Sequence, residues 1–236
     1  MAMRVPWDRS GVRTYLLAAG VIAGHITPLS CAIGIPFFLA GMCLQVWAKG
    51  CLHQEKEVTT SGPYRFVRHP FYLANFVLDI GIIVMSGWWV LAIVGPIWWL
   101  AVYIPVMRRE EGIMAGLFGG AYANYRGLVP MLIPYRRPLP RGAAGGSFSW
   151  RNPNVKGVEL PRALRSLSYP LIFLAAYRIR IQAPNFPALL TSAWDILLIV
   201  AFVVLHIIVW SLKRARREEK AKSAREASAS MAISAA

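Results

Sequence analysis

Cationic, imidazole and phenol groups crowd one short stretch of this chain, Gly62-Pro63-Tyr64-Arg65-Phe66-Val67-Arg68-His69-Pro70-Phe71-Tyr72. A second polar group, Arg108-Arg109-Glu110-Glu111, follows two apolar runs later. Pro63 and Pro70 restrict their own backbones and those of Gly62 and His69, so the first cluster reads as a rigid turn. Arg68 can hold a carboxylate or phosphate through two parallel hydrogen bonds, and His69 can donate, accept or titrate. Tyr64 and Tyr72 add hydroxyls and aromatic faces. Glu110 and Glu111 offer paired carboxylates, suited to a ribose diol, an ammonium group or a sulfonium-bearing ligand. Together the clusters complement a zwitterion. The spacing also allows a blander reading, in which Arg68 and His69 anchor lipid headgroups and the glutamates only balance Arg108 and Arg109.

Both clusters lie beside apolar runs of membrane length. A helix crosses the hydrocarbon core with about 20 apolar residues, and candidate spans fall near 13–27, 31–49, 71–86, 88–107, 166–181 and 189–212. The predicted fold is therefore all-α, a polytopic helical membrane protein of about five to six spans. Polar, ionisable residues beside a bilayer are costly and point to function. Trp88 and Trp89 read as interfacial anchors and Trp98 and Trp99 as packing. Arg178 and Arg180, near the end of 166–181, allow that segment to snorkel, lie in the interface or re-enter.

The segment 106–127 supplies a further face. Glu111, Phe118, Tyr122 and Tyr125 are spaced by 7, 4 and 3, which stacks them on one side of a helix. Gly112, Gly116, Gly119 and Gly120 weaken that helix by about 1 kcal/mol each relative to Ala. Close packing or a close ligand is expected to hold it.

Of 236 residues, 56% are hydrophobic, too many for an ordinary soluble domain. The formal charge of +15 is spread between and after the apolar runs. Lys and Arg occupy the N-terminal arm, the 49–70 loop, 108–165 and the tail from Lys213; the loops near 28–31 and 86–88 have none. The positive-inside rule then puts both termini in the cytoplasm. Anionic headgroups account for this charge better than nucleic acid does. Cys31, Cys43 and Cys51 show no CxxC spacing, and His25, His53, His69 and His206 are scattered, so no metal is expected. Residues 136–162, rich in Arg, Pro and Gly, read as a cytoplasmic linker. Residues 163–212 read as additional membrane helices, and 213–236 as a basic, disordered tail.

The order of the motifs is specific. "TTSGPYRFVRHPFYLAN", a helical hairpin, then "REEGIMAGLFGGAYANYRGLVPMLIP" resembles the isoprenylcysteine carboxyl methyltransferase and phospholipid methyltransferase superfamily of integral membrane enzymes. The preceding Trp47-Ala48-Lys49-Gly50 is similar to the end of the helix before that loop in bacterial members. The likeness covers roughly 37–135, within a methyltransferase core of 1–135. It implies S-adenosylmethionine bound at the cytoplasmic edge of a bacterial inner membrane by Tyr64, His69, Tyr72, Glu110, Glu111, Tyr122 and Tyr125. By the same likeness His69 and the tyrosines hold the methionyl end, and Glu110 or Glu111 the ribose or amino group. Family members commonly carry Gly shortly after the Tyr-Leu of the first motif; here Leu73 is followed by Ala74-Asn75, a change that could narrow the cofactor channel.

The implied reaction is methyl transfer to a lipid-like or prenylated acceptor drawn from the membrane. A carboxylate acceptor needs a positioning cation, Arg68 or Arg126; an amine must lose a proton, for which His69 is the candidate base. O-methylation of an isoprenylcysteine-like carboxylate is preferred, with phospholipid or other lipid amine methylation next. A non-catalytic membrane scaffold and a fold-related membrane reductase are the rivals. No glycine-rich strand-to-helix signature of soluble nucleotide folds is present.

Overall fold

The computed structural model describes residues 9–52, 57–140, 147–152, 155, 160–182 and most of 193–211. These residues are helical or irregular, with no strand among them. Backbone groups in a bilayer find no water, and helices satisfy them internally. Helix α1 spans Arg9–Ala23, α2 Pro28–Cys51, α3 Pro70–Ser86 and α4 Trp89–Leu128; α5 (Leu160–Ser166) and α6 (Ser168–Gln182) follow.

Helix boundaries follow local chemistry. Thr27 caps α2, accepting from Ser30 N while the Ser30 hydroxyl accepts from Thr27 N, and Pro28 occupies the first turn. Pro70 opens α3, and Gly87, at φ 60°, closes it in the left-handed region. The expected spans at 31–49 and 71–86 match α2 and α3 closely. The expected span 88–107 does not stop there, because α4 continues through both glutamates to Leu128. At 1.5 Å per residue its first 30 residues run about 45 Å, longer than the roughly 30 Å hydrocarbon core. The second half of α4 therefore extends beyond the apolar layer and carries the site. Non-helical dihedrals at Gly119 (φ 50°, ψ −123°) bend it near that end.

Two described helices, α2 and α4, are long and apolar enough to cross a membrane; Val12–Ala23, Pro70–Ser86 and Ile196–Leu205 are shorter apolar helices. Expected span 166–181 appears as α6, and part of 189–212 lies outside the described residues, as do His53 and His206. Helices α2 and α3 lie most closely together, joined by glycine. A Cβ at Gly41 would stand 2.6 Å from Leu78 N, and one at Gly81 2.6 Å from Phe38 N. Such small-residue seams let membrane helices approach closely. The close packing expected at Gly112, Gly116, Gly119 and Gly120 is not there, since a Cβ at each would meet nothing within 4 Å.

A polar network crosses the bundle where the sequence reading placed only apolar packing. Arg13 Nε donates to Asp79 Oδ1 at 2.7 Å, and its guanidinium also reaches Asn75 Oδ1 at 3.1 Å. Gln45 donates to the same Asn75 oxygen, and Trp99 Nε1 donates to Asp79 Oδ2 at 3.1 Å. Four helices meet in this network. Arg13, at the first position of the expected span 13–27, thus turns inward. At the opposite end of α1, Arg180 donates to the carbonyls of Val21, Ile22 and Gly24, groups that a helix C-terminus leaves unsatisfied.

Candidate active site

The turn before α3 is tied to the chain that leaves α4. Gly62, at φ 55°, permits the tight entry into a single 3-10 turn, Gly62–Arg65. Beyond it, Arg68 N donates to Pro130 O at 2.8 Å and His69 N to Met131 O at 3.1 Å. Arg65 Nε donates to Leu139 O and Leu139 N to Arg65 O. The first motif is thereby laid alongside the Val-Pro element that ends the second.

Side chains complete the junction. Glu111 is 6% exposed, and its Oε1 accepts from Arg68 Nε at 2.8 Å. His69 Nε2 stands 3.3 Å from the same oxygen, and Arg126 Nε 3.8 Å from Oε2. Arg68 also donates to the carbonyls of Arg126 (3.0 Å) and Val129 (2.5 Å). One buried carboxylate therefore binds both Arg68 and His69, in a turn some forty positions earlier. Tyr72 OH donates to Glu110 Oε1 at 2.6 Å, and Tyr125 OH to Tyr64 O at 2.8 Å. Tyr72 continues into α4 through the Tyr103 ring (centroids 5.6 Å), which stacks on Trp99 at 4.4 Å.

Burial pushes the His69 imidazole below its usual value, against the opposing pull of Glu111 and Glu110. A neutral ring facing a carboxylate carries its proton on Nε2, which leaves the lone pair on Nδ1. Burial likewise pushes the Tyr64 phenol up, helped by Cys51 and Glu110.

A cavity of about 430 Å³ opens beside this junction. Tyr64, Arg68, His69, Tyr72, Glu110 and Tyr122 line it, six of the residues singled out in the sequence. Glu111, Tyr125 and Arg126 are not in its wall. Glu111 lies behind, holding Arg68 and His69; Tyr125 braces Tyr64; Arg126 is 61% exposed along its side chain. Phe118, Tyr122 and Tyr125 do share one packed cluster with Val129, Val58, Met114 and Leu139, although the Gly119 bend interrupts the helix between Phe118 and Tyr122. Ala74 is fully buried against the Gly41 seam and Asn75 belongs to the Arg13 network, so neither narrows the cavity. Sequence reasoning missed Lys49 and Glu57, which also line it. Glu57 lies in a polar loop with no pattern to mark it. Lys49 stood within a quoted motif, but a lone lysine in the last turn of a helix looks like ordinary dipole pairing.

Within the stretch read as a linker, Phe148 packs against Gly50, where a Cβ would stand 2.2 Å from its ring. Ser149 N donates to Gly50 O, and Asn152 Nδ2 to the carbonyls of Gly50 and Leu52. This segment closes the free end of α2, beside the cavity.

Residues 29–121 match the profile of the phospholipid methyltransferase family. Among curated proteins, the chain is 25% identical over 131 residues to the nickel-cobalt-cadmium resistance protein NccN of Alcaligenes xylosoxydans xylosoxydans, covering 54% of each chain. It is 28% identical over 140 residues to the cobalt-zinc-cadmium resistance protein CzcN of Cupriavidus metallidurans, covering 56% of this chain and 63% of that one. It is 30% identical over 82 residues to a protein-S-isoprenylcysteine O-methyltransferase of Schizosaccharomyces pombe, covering 35% of each. The aligned part thus spans between a third and two thirds of these relatives. No solved structure matches the chain significantly. The first two names speak of metal resistance; among the described residues, no group of three or more His, Cys, Asp or Glu side chains gathers as metal ligands would. Across residues 29–121 the chain carries the pattern of the isoprenylcysteine carboxyl methyltransferase and phospholipid methyltransferase superfamily, as its two motifs had indicated.

Proposed function

We propose that this protein is an integral membrane methyltransferase that uses S-adenosylmethionine to methylate a lipid-like acceptor, preferentially on a carboxylate. The observation that carries this reading is Glu111, which joins Arg68 and His69 of the first motif to the second at the edge of the cavity. A space of about 430 Å³ falls within the range of small-molecule sites, roughly 300–1,000 Å³. Its wall fits a zwitterionic nucleoside: Tyr64, Tyr72 and Tyr122 supply hydroxyls and ring faces, Glu110 a carboxylate, and His69 a neutral imidazole. Those five would hold the cofactor, with Glu111 and Tyr125 fixing the wall from behind. When bound, S-adenosylmethionine supplies a sulfonium methyl, which the acceptor takes as the carbon–sulfur bond breaks and S-adenosylhomocysteine departs.

The protein's own part is alignment and charge placement. Arg68 stiffens the turn by binding one carboxylate and two carbonyls at once. Ile113, Met114 and Leu117 make one side of the cavity apolar, as a membrane-derived acceptor requires. A second reading, methylation of a lipid amine, draws support from the depressed His69, whose free Nδ1 lone pair could take the proton. On either reading both termini lie in the cytoplasm and the cavity faces it.

Isothermal titration in detergent with S-adenosylmethionine and, separately, a reduced nicotinamide dinucleotide tests the reading. S-adenosylmethionine is expected to bind and Glu110→Gln to weaken it about tenfold, the loss of one hydrogen bond to a charged group. Binding of the nicotinamide alone would establish a reductase instead, and binding of neither a scaffold.

A further inference from the structure

The loop 129–139 is bonded to the turn before α3 at both of its ends, through Pro130 and Met131 and through Leu139. Met131 and Leu132 pack against the core of the bundle. The next large apolar side chains, Ile133 and Tyr135, are 68% and 69% exposed. In the adjoining turn Phe66 is exposed as well, and its ring meets that of Trp47, also exposed, near the end of α2. Open aromatic and apolar groups at the end of a membrane bundle mark the level of the membrane–water interface.

Three exposed arginines stand among these groups. Arg136 donates to Gly127 O, with its guanidinium 5.4 Å from the centroid of the Tyr135 ring. That bond brings Arg136 beside Arg126, the neighbour of Gly127, and Arg137 follows directly. The described carboxylates leave most of this charge uncompensated. Among the described residues, the one ion pair to the three is Arg126 with Glu111, at 3.8 Å, and Glu111 is shared with Arg68 and His69. Asp79 binds Arg13, and Glu110 accepts from Tyr72. Glu57 lines the cavity, whose wall contains none of the three arginines. Such a patch is the complement of an anionic lipid. A phosphate takes a guanidinium fork through two parallel hydrogen bonds, and acyl chains take the apolar groups. A zwitterionic headgroup adds an ammonium, which the arginines repel.

We propose that Arg126, Arg136 and Arg137 form a docking site for the phosphate of an anionic phospholipid, whose acyl chains lie against Ile133 and Tyr135. On the orientation proposed above the lipid belongs to the cytoplasmic leaflet; the site does not depend on the reaction in the cavity. It borders the Glu111 junction, since Arg68 donates to Arg126 O. A bound headgroup therefore braces that junction from outside.

Calorimetric titration of dihexanoylphosphatidylglycerol and dihexanoylphosphatidylcholine into the full chain, in an uncharged detergent, tests this. Wild type is expected to prefer the glycerol headgroup by about tenfold or more, and each arginine removed to cost about fivefold. Arg137→Gln then keeps a remnant of the preference, and Arg136→Gln with Arg137→Gln binds both lipids alike. Arg137 has no partner among the described residues, so its loss leaves the loop intact. Arg108→Gln with Arg109→Gln removes the same charge from exposed positions of α4 and is expected to keep the preference. A wild type indifferent to the headgroup overturns the assignment. So does an equal loss in the Arg108–Arg109 variant, which would assign the attraction to net charge alone. Glycerol phosphate binding as tightly as the lipid would make this a site for free phosphate, and removes the lipid from it.

Discussion

His69 shows how one side chain can serve both the fold and the chemistry. Its ring is buried between Arg68 and Glu111, and burial outweighs the carboxylates in setting its protonation. The unfolded chain titrates it near the ordinary value of about 6.5. Because the folded value is depressed, the folded form holds the neutral ring where the unfolded chain has bound a proton. Stability from this site is therefore complete above about pH 6.5 and is lost as pH falls through the lower folded value. Thermal unfolding in detergent between pH 7.5 and 5 is expected to show this decline, and His69→Gln to flatten it. An unchanged slope in that variant would assign the pH dependence to other groups. Glu111 has the complementary role: it is held between a permanent cation and a neutral imidazole, and it fixes where both point.

At the scale of elements, the glycines of this chain divide into two kinds that composition cannot tell apart. Gly34, Gly41 and Gly81 sit where α2 and α3 touch through their backbones; a Cβ at Gly34 would stand 2.7 Å from Gly81 O. Lipid tails are as apolar as side chains, so such contact, rather than exclusion of water, drives helix association. Gly41→Leu is accordingly expected to destabilise by about 1–3 kcal/mol through overpacking. On exposed helical positions of α4 the same residue type only weakens the helix. Gly112→Ala is expected to raise stability by up to about 1 kcal/mol. Differential scanning fluorimetry of the two variants checks both signs, and a stabilised Gly41→Leu would show that the α2–α3 seam has room to spare. Gly119 stands apart from both kinds, since its positive φ, with ψ −123°, is open to glycine alone.

For the whole molecule, the Arg13–Asp79 pair joins regions far apart in the chain. Asp79 is 1% exposed, and the network takes in Gln45 of α2, Asn75 of α3 and Trp99 of α4. Trp99 stacks on Tyr103, which meets Tyr72 at the cavity, so the network also sets how α3 and α4 stand beneath the site. Removing one charge leaves the other buried without a partner, which costs about 3–5 kcal/mol. Asp79→Ala is expected to fall in that range, whereas Arg13→Met with Asp79→Leu is expected to recover most of the loss. A double variant as unstable as the sum of the single ones would mean that the charges stabilise the bundle independently of each other.

The sequence by itself determined the helical class, the positions of α2 and α3, and the identity of both polar clusters. Apolar runs of membrane length and proline-bounded turns are local signals, legible without a partner. It also placed Tyr122 and Tyr125 on one face, three positions apart in the last turns of α4, whereas Glu111 lies across the Gly119 bend, where helical periodicity is interrupted. Tertiary structure alone decided which carboxylate holds the turn and which faces the cavity, since Glu110 and Glu111 are neighbours that differ only by rotation about the helix. It alone turned Arg13 inward to Asp79 and set Lys49 in the cavity wall. Those choices depend on contacts between residues some thirty or more positions apart, and the pairing of distant charges leaves no periodic trace in a single chain.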